Sequence, residues 1–387
     1  MLSRLLHIPQ DAKQSAFIFG PRGTGKTAWL KQHFADACYI DLLYTETYTD
    51  LLANPSRLEK RIPPGTEQWV IIDEIQKIPE LLNEVHRLIE HKGYRFLLTG
   101  SSARRLRRSG VNLLAGRALS YHMHPFIQQE LGTQFTLEKA LHAGLLPQAY
   151  LMDDFKHYLT SYVATYLREE VLQEGLLRQI GDFTRFLETA SFSQGGVLNF
   201  SAIAREVGID RKVVSEYFSI VYDLLIGFSL PPFTKRAKRR LVQHEKFYFF
   251  DVGVFRTLRP MGPLDSAAEA EGPGIETLFL QHLRAINDYY RLGFTLYYWR
   301  TATTHLEVDF VAYGEKGLYA FEIKRKRKYE RSDLKGLRAF EAEYPIAKLF
   351  LLYGGEEILY EGNITVMPIG IALTQLPEIL DKPQLGT

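Results

Sequence analysis

One stretch of the sequence brings together residue types that can bind a phosphate chain. The spacing G-x-x-x-x-G-K-[ST] begins at Gly20 and ends at Lys26 and Thr27, between an apolar segment and a helical pattern. The backbone N–H groups of such a loop surround phosphate oxygens, its lysine reaches the β- and γ-phosphates, and its threonine ligates Mg²⁺. A glycine-rich turn with a chance lysine is the alternative. We expect ATP and Mg²⁺ to contact the following residues: Gly20, Pro21, Arg22, Gly23, Thr24, Gly25, Lys26 and Thr27.

Two adjacent acids follow a second apolar segment, as in a Walker B motif. Residues 69–72 are continuously apolar, which is typical of a buried parallel strand, and Asp73 and Glu74 come next. We expect Asp73 to hold Mg²⁺ and Glu74 to orient and deprotonate the attacking water. Alternatively, the two acids only place negative charge near the start of the following helix.

A third apolar segment, residues 94–98, also ends in polar residues. Thr99 and Ser101 are candidates to contact the γ-phosphate, because the carboxyl ends of strands in an open α/β sheet meet at one edge. Arg117 follows and is a candidate arginine finger that reaches the nucleotide of a neighbouring subunit. The alternative for Arg117 is an ordinary surface arginine in a loop.

A second group of acids lies in the last third of the chain. Residues 307–313 and 318–324 read as strands, and the four residues between them are typical of a hairpin. In that register Asp309 faces Glu322. Opposed carboxylates repel each other unless a cation lies between them, and oxygen ligands favour Mg²⁺ or Mn²⁺. Chance acids on an exposed strand face are the alternative. If a cation is bound, Lys324 beside the acids is a candidate to position or activate the water that attacks a phosphate.

The middle of the chain contains a candidate helix-turn-helix. Ser201 is expected to cap a first helix that ends at Gly208, and Asp210 to cap a second helix over residues 211–221. A basic wing and a strand follow, as in a winged helix, although winged helices also serve as protein contacts. Basic runs are often only solvated surface. The candidate DNA contacts are Arg211, Lys212, Lys235, Arg236, Lys238, Arg239, Arg240, Lys326 and Lys328.

These motifs, in this order, carry a resemblance. Residues 20–27, 71–74, 98–103 and 116–117 resemble those of AAA-type bacterial and archaeal P-loop ATPases with a C-terminal restriction-endonuclease-like domain. The resemblance implies an ATPase that assembles as a homo-oligomeric ring, for example a hexamer.

The resemblance also covers the C-terminal acids. Asp309 followed by Glu322-x-Lys324 is similar to the PD-(D/E)xK nuclease core, although Val308 stands where many relatives have proline. It implies that Glu276, on the preceding helix, is an auxiliary metal ligand beside Asp309 and Glu322.

The expected fold is α/β in three parts. An AAA-type P-loop domain with a parallel sheet is expected over residues 1–145, a helical and winged-helix domain over 146–262, and an α/β nuclease-like domain over 263–387. Residues 260–274 are rich in Gly, Pro and Ala and are expected to form a linker. We expect Glu276 to open the helix that follows.

Composition narrows the functional classes. Hydrophobic residues make up 46% and charged residues 24% of 387 residues, and no segment approaches the run of about 18 apolar residues that a membrane span needs. The start of the chain lacks the features of a secretory signal, and the single Cys38 fits a cytoplasmic location. A net charge of +2 means that any DNA-binding surface must be a local patch.

The leading hypothesis is an ATP-hydrolysing protein that binds DNA and cleaves it with a metal-dependent C-terminal site. The alternative is an ATP-dependent switch whose nuclease-like domain only binds DNA or a protein. A third class, the peptide-unfolding AAA machines, requires an aromatic pore loop that the sequence does not reveal.

Overall fold

The computed structural model describes residues 2–102, 114–167, 180–234, 245–262, 266–301 and 304–381. The chain divides into two compact units. Residues 3–125 together with 223–226 form the first unit, and residues 126–222 together with 227–387 form the second.

The first unit is built on a parallel sheet. Within the described residues its five strands lie in the order β2-β3-β4-β1-β5, and every neighbouring pair is parallel. Strands β1, β3 and β4 are almost completely buried, as expected for apolar segments covered on both faces. The strands are β1 Ser15–Phe19, β2 Cys38–Asp41, β3 Trp69–Asp73, β4 Arg95–Gly100 and β5 Ala118–His122.

Helices α1 Lys26–His33, α2 Thr45–Ala53 and α3 Leu81–Lys92 connect these strands. The α3 residues Leu82, Val85 and Leu88 recur at helical spacing and are fully buried in the core of the first unit. This packing holds the carboxyl ends of β1, β3 and β4 at one edge of the sheet.

The second unit begins with helices and a two-stranded sheet. Strands β6 Gly227–Leu230 and β7 Lys246–Phe249 pair antiparallel, with Leu230 opposite Lys246. The helices before the strands are α4 Gln128–Leu131, α5 Leu137–Ala143, α6 Pro147–Leu151, α7 Phe155–Ser161, α8 Ile180–Ser191, α9 Phe200–Val207 and α10 Arg211–Asp223. Helix α11 Val252–Leu258 follows the two strands.

Helices α9 and α10 occupy the positions expected for the candidate helix-turn-helix. Gly208 ends α9 in a left-handed conformation, as expected. The cap of α9 is Asn199, whose Oδ1 accepts a hydrogen bond from the Ala202 N–H at 3.0 Å, whereas Ser201 already lies inside the helix. An asparagine amide oxygen caps a helix as well as a serine hydroxyl does, so the sequence alone placed this start two residues late.

The expected linker over residues 260–274 is wrong in its second half. Helix α12 spans Ala267–Tyr289, so Glu276 lies inside it and does not open it. Pro273 lacks an N–H group, but the Thr277 hydroxyl donates to the Pro273 carbonyl oxygen at 2.6 Å and supports the helix at this point. Ala270 and Ile275 are buried, and this packing outweighs the low helix propensity of the glycines and the proline.

A six-stranded mixed sheet completes the second unit within the described residues. Its order is β12-β13-β11-β10-β9-β8, with β10 parallel to β11, β11 parallel to β13, and the other neighbours antiparallel. The strands are β8 Thr295–Arg300, β9 Glu307–Gly314, β10 Gly317–Lys324, β11 Lys348–Tyr353, β12 Leu359–Glu361 and β13 Ile364–Pro368.

Helices cover both faces of this sheet. Helix α13 Lys335–Glu343 packs Leu337 and Phe340 against one face, in a cluster with Leu349 and Leu351 of β11. Phe350, which alternates with those leucines, stacks on Phe321 of β10 on the opposite face. Helix α12 contacts that face, and α14 Ile369–Ile379 packs beside it.

The described structure confirms the α/β fold class. A parallel sheet with helices comes first, a group of helices follows, and a mixed sheet covered by helices comes last. No helix in these described ranges is long and apolar enough to cross a membrane.

The buried His282 of α12 gives a prediction about stability and pH. Its Nδ1 donates to the Leu278 carbonyl oxygen at 2.8 Å and its Nε2 accepts the Gln128 N–H at 3.0 Å, so the ring fits best in its neutral form. Burial lowers the pKa of His282 from 6.5 to about 4. The unfolded chain therefore binds more protons between these values, and stability falls as the pH drops through this range, by up to about 3 kcal/mol.

The test compares thermal midpoints at pH 7.0 and pH 5.0. Replacing His282 with glutamine retains an acceptor for the Gln128 N–H but removes the titration. We expect the acid-induced loss of stability to be smaller in this variant than in the wild type, and equal losses in both proteins would contradict the assignment.

Candidate nucleotide site and acidic site

The phosphate-binding loop connects β1 to α1, as the sequence predicted. Gly25 has φ of +93°, a left-handed conformation that residues with a Cβ rarely adopt. A Cβ on Gly20 would lie 2.3 Å from the Met123 carbonyl oxygen, so only glycine fits there without moving the backbone. These two glycines allow the loop to turn closely from the strand into the helix.

The lysine of the motif lies against its own loop. Lys26 Nζ donates to the carbonyl oxygens of Gly20 at 2.7 Å and Pro21 at 3.2 Å, and the side chain is buried. The Thr24 hydroxyl also donates to the Pro21 carbonyl oxygen, at 2.9 Å. The ammonium group is thus held at the loop where the motif requires it.

Asp73 is the centre of a hydrogen-bond network at the carboxyl end of β3. Its Oδ2 accepts from the Thr27 hydroxyl at 2.7 Å and from the Tyr39 hydroxyl, and its Oδ1 accepts from the Thr99 hydroxyl. The carboxylate is fully buried. Side chains of three neighbouring strands and of the start of α1 therefore meet at Asp73.

The Thr27 and Asp73 oxygens fit a bound Mg²⁺ ion. They are hard oxygen ligands of the kind this ion prefers, and their separation of 2.7 Å lets both point at one position beside the loop. Mg²⁺ is typically held in such sites by one or two protein oxygens together with the phosphates.

The backbone at Glu74 does not have the conformation of a β-strand. Its φ is +64°, in the left-handed region, and its N–H donates to the Thr99 hydroxyl at 3.0 Å. The Gln76 amide donates to the Glu74 carboxylate and to the Ser101 hydroxyl, the latter at 2.9 Å. Gln76 therefore links the predicted base to one of the predicted γ-phosphate contacts.

Three residues of this site are absent from the sequence motifs. Tyr39 bonds Asp73, Gln76 bonds Glu74, and Arg4 donates to the Thr24 carbonyl oxygen at 2.6 Å. Burial and the Asp73 carboxylate raise the pKa of the Tyr39 hydroxyl well above its usual value, so this group remains a donor. A tyrosine in a short strand signals only packing, so sequence reasoning had no means of finding Tyr39.

Arg117, the candidate arginine finger, lies directly before β5. Its guanidinium group pairs with the Glu90 carboxylate, and both side chains are partly exposed. A role toward a neighbouring subunit stays a prediction.

The C-terminal acids lie on β9 and β10, and the expected hairpin register is confirmed. Tyr313 pairs with Leu318 and Phe310 pairs with Phe321. Asp309 is the next residue on β9 and is 7% exposed, like Glu322 on β10.

Lysines surround these carboxylates. Lys324 Nζ donates to Glu322 Oε1 at 2.6 Å, while the Ile323 N–H donates to Asp309 Oδ2 at 2.9 Å. Lys246 of β7 pairs with Glu307 and lies 3.7 Å from Asp309 Oδ1. We call Glu276, Glu307, Asp309, Glu322 and Lys324 the acidic site.

Burial and charge shift the pKa values in the acidic site. Burial and the nearby Asp309 carboxylate raise the pKa of both Glu276 and Glu322 well above their usual range. Burial alone would lower the pKa of Lys324, but the Glu322 and Asp309 carboxylates raise it, so this lysine is charged. Such a site stabilises an added positive charge.

The acidic site has carboxylate oxygens of the kind that suit a divalent cation, but several of them already accept hydrogen bonds. Glu322 Oε2 is buried and has no hydrogen-bond partner, so this oxygen could bind a cation. Glu276 Oε2 instead accepts from the Tyr248 hydroxyl at 3.1 Å. Across the described ranges, no three His, Cys, Asp or Glu side chains are grouped to hold a metal ion. The metal roles of Glu276, Asp309 and Glu322 stay predictions.

The candidate DNA contacts lie apart in the sequence and differ in their surroundings. Arg211 and Lys212 begin α10 and are exposed. Lys328 is exposed, whereas Lys326 pairs with Asp333 at 2.8 Å. The other five lie outside the described residues: Lys235, Arg236, Lys238, Arg239 and Arg240.

Comparison with known families identifies the first part of the chain. Residues 12–132 match a family described as an AAA domain, so this part is an AAA-type P-loop domain for nucleotide binding. Residues 134–265 match a domain of unknown function (DUF8612), and residues 271–372 match another domain of unknown function (DUF4143).

Individual relatives are distant. The chain is 23% identical over 355 residues to the uncharacterized protein MJ1544 of Methanocaldococcus jannaschii, covering 81% of this chain and 76% of that protein. Among solved structures, the Aeropyrum pernix ORC1 protein in complex with DNA is 14% identical, over 63% of this chain and 86% of that one, with a TM-score of 0.24. Protein VC1899 from Vibrio cholerae is 12% identical, over 95% of this chain and 98% of that one, also with a TM-score of 0.24.

Proposed function

We propose that the protein hydrolyses ATP at the nucleotide site of its first unit. The observation that supports this most directly is the shared Asp73 carboxylate, which the Thr27 hydroxyl of the loop and the Thr99 hydroxyl of β4 both reach. The start of α1, the acid and the predicted γ-phosphate contact are thereby brought together at one place. Pre-assembled groups of this kind account for most of the catalysis of phosphoryl transfer.

Each residue has a distinct part in the proposed reaction. Lys26 exchanges its bonds to loop carbonyl oxygens for bonds to the phosphates, and Thr27 and Asp73 hold Mg²⁺. The ion supplies positive charge that offsets the charge developing on the transferred phosphoryl group. Glu74 orients the attacking water and accepts its proton, and Gln76 keeps the Glu74 carboxylate in position.

The experiment is a measurement of phosphate release from ATP by the purified full chain with Mg²⁺. We expect phosphate to be released from ATP, and we expect this release to stop when Mg²⁺ is left out. A protein that binds ATP but shows no release under any condition would overturn the hydrolytic part of the proposal.

The proposal includes a homo-oligomeric ring in which Arg117 completes the nucleotide site of a neighbour. Subunits carrying Arg117→Ala keep an intact loop, and subunits carrying Lys26→Ala keep the arginine. We expect each variant to be inactive alone and the mixture to recover part of the wild-type ATPase activity, because mixed neighbours form complete sites.

A matched control separates this effect from simple dilution. The double variant Lys26→Ala/Arg117→Ala has neither group to offer, so its mixture with Arg117→Ala should stay inactive. Recovery in the control mixture, or none in the first mixture, would contradict an arginine that acts between subunits.

We also infer that the acidic site binds Mg²⁺ or Mn²⁺ and cleaves phosphodiester bonds in DNA. The buried Glu322 Oε2 without a hydrogen-bond partner supports this inference, together with the charged Lys324 next to it. Asp309, Glu322 and Glu276 would hold the ion, which supplies Lewis acidity at the phosphate. Lys324 orients the attacking water and offsets negative charge on the phosphate as the P–O bond breaks. Basic residues at the start of α10 and after β10 would contact the DNA backbone.

Incubation with Mg²⁺ or Mn²⁺ on several DNA forms, with and without ATP, tests this second activity. If no DNA form is cut, the alternative applies, in which the domain that carries the acidic site only binds DNA or a protein as part of an ATP-dependent switch. Loss of DNA binding after neutralising Lys326 and Lys328 would support that alternative.

A further inference from the structure

A lysine from outside the nuclease-like motif reaches into the acidic site. Lys246 lies on β7, which precedes α12 and belongs to a different sheet from β9 and β10. Its side chain is only 3% exposed, pairs with Glu307, and lies 3.7 Å from Asp309 Oδ1. Its ammonium group also lies 5.4 Å from the centre of the Tyr298 ring. A buried lysine with these contacts is part of the site.

The position of this lysine is fixed by the backbone around it. Lys246 pairs with Leu230 in the β6–β7 sheet and forms a bridge with Val197 on its other side. Tyr248, two residues along the strand, projects the same way and donates to Glu276 Oε2. One face of β7 therefore supplies both an ammonium group and a hydroxyl group to the acidic site.

The charges explain what these contacts do. Four carboxylates, those of Glu276, Glu307, Asp309 and Glu322, face two ammonium groups. Like charges this close are unfavourable unless a cation separates them. Lys324 neutralises the Glu322 side of the site, and Lys246 neutralises the side formed by Glu307 and Asp309.

We propose that Lys246 is a built-in counter-cation, held by Glu307, which competes with a divalent metal ion for the Asp309 carboxylate and so sets the metal affinity of the acidic site. This inference rests on the metal-dependent part of the proposed function. Removing the ammonium group leaves the carboxylates in place with one more uncompensated negative charge, so a divalent ion is attracted more strongly.

The experiment measures Mn²⁺ binding to the full chain without nucleotide, by calorimetry and by electron paramagnetic resonance. The component that belongs to the acidic site is defined as the binding lost in Asp309→Ala. Lys246→Met removes the charge and keeps an apolar chain of similar length. Lys348→Met is the matched control, because Lys348 is a lysine of the same unit whose ion pair with Asp381 is exposed.

We expect Lys246→Met to bind Mn²⁺ at least tenfold more tightly than the wild type, and Lys348→Met to bind it as the wild type does. Binding that appears only in Lys246→Met would support the inference equally. Equal or weaker binding in Lys246→Met would overturn it while leaving the metal site in place. If neither protein shows binding that depends on Asp309, the metal-dependent part of the proposed function falls as well.

A folding defect in the single variant is controlled by a double variant. Lys246→Met/Glu307→Gln removes the closer ion pair as a unit, so no Glu307 carboxylate is left without its partner. Circular dichroism checks that this protein is folded, and we expect its Mn²⁺ affinity to exceed that of Glu307→Gln alone. No difference between those two proteins would count against the competition.

Discussion

Replacing Lys26 with alanine should weaken ATP binding at least a hundredfold and abolish ATP turnover. The Lys26 ammonium group lies at the loop, bonded to the Gly20 and Pro21 carbonyl oxygens, and in the proposed reaction it exchanges these bonds for bonds to the phosphates. A charge-assisted bond to phosphate contributes about 3 kcal/mol, and alanine has nothing to replace it. Titration with a fluorescent ATP analogue and a phosphate-release assay give the two readouts.

Lys13→Ala is the matched control for this variant. Lys13 is exposed just before the opposite end of β1, so it tests the loss of a lysine near the same strand. The loop should keep its shape in Lys26→Ala because Arg4 still holds the Thr24 carbonyl oxygen, and an unchanged thermal midpoint would verify this. Unchanged nucleotide affinity in Lys26→Ala would refute the assignment of the loop.

The nucleotide site could be predicted from the sequence because its parts follow one rule. Asp73 and Thr99 lie at the carboxyl ends of apolar strands, Thr27 follows β1 through the loop, and parallel strands end at the same edge of a sheet. The convergence of Thr27 and Thr99 on Asp73 follows from that rule alone. Tyr39 could not be found in this way, because its contact with Asp73 depends on β2 being the neighbour of β3 in the sheet.

The C-terminal hairpin was predictable for a similar reason. Its register depends on a short loop, so counting from Tyr313 and Leu318 was sufficient. Lys246 was not predictable, because it lies far from Asp309 in the sequence and meets it only through the packing of β7. Helix α12 was placed too late because Gly272, Pro273 and Gly274 lie within its first half, while the buried contacts that stabilise it are tertiary.

Lys324→Ala should lower DNA cleavage at least a hundredfold and leave Mn²⁺ binding in place. Lys324 is not expected to be a metal ligand, since its ammonium group donates to Glu322 Oε1 and has no lone pair to offer. Its positive charge acts on the phosphate and the attacking water, so its loss raises the barrier without removing the ion. Asp309→Ala should instead lower Mn²⁺ affinity and cleavage together.

The contrast between the two variants distinguishes a catalytic site from a cluster of structural charges. Lys316→Ala serves as the control, because Lys316 is exposed in the turn of the same hairpin and should cut DNA as the wild type does. If Lys324→Ala or Asp309→Ala cuts as well as the wild type, cleavage does not belong to this site. If Lys324→Ala instead loses Mn²⁺ binding along with cleavage, the lysine organises the carboxylates and its proposed role at the phosphate is wrong.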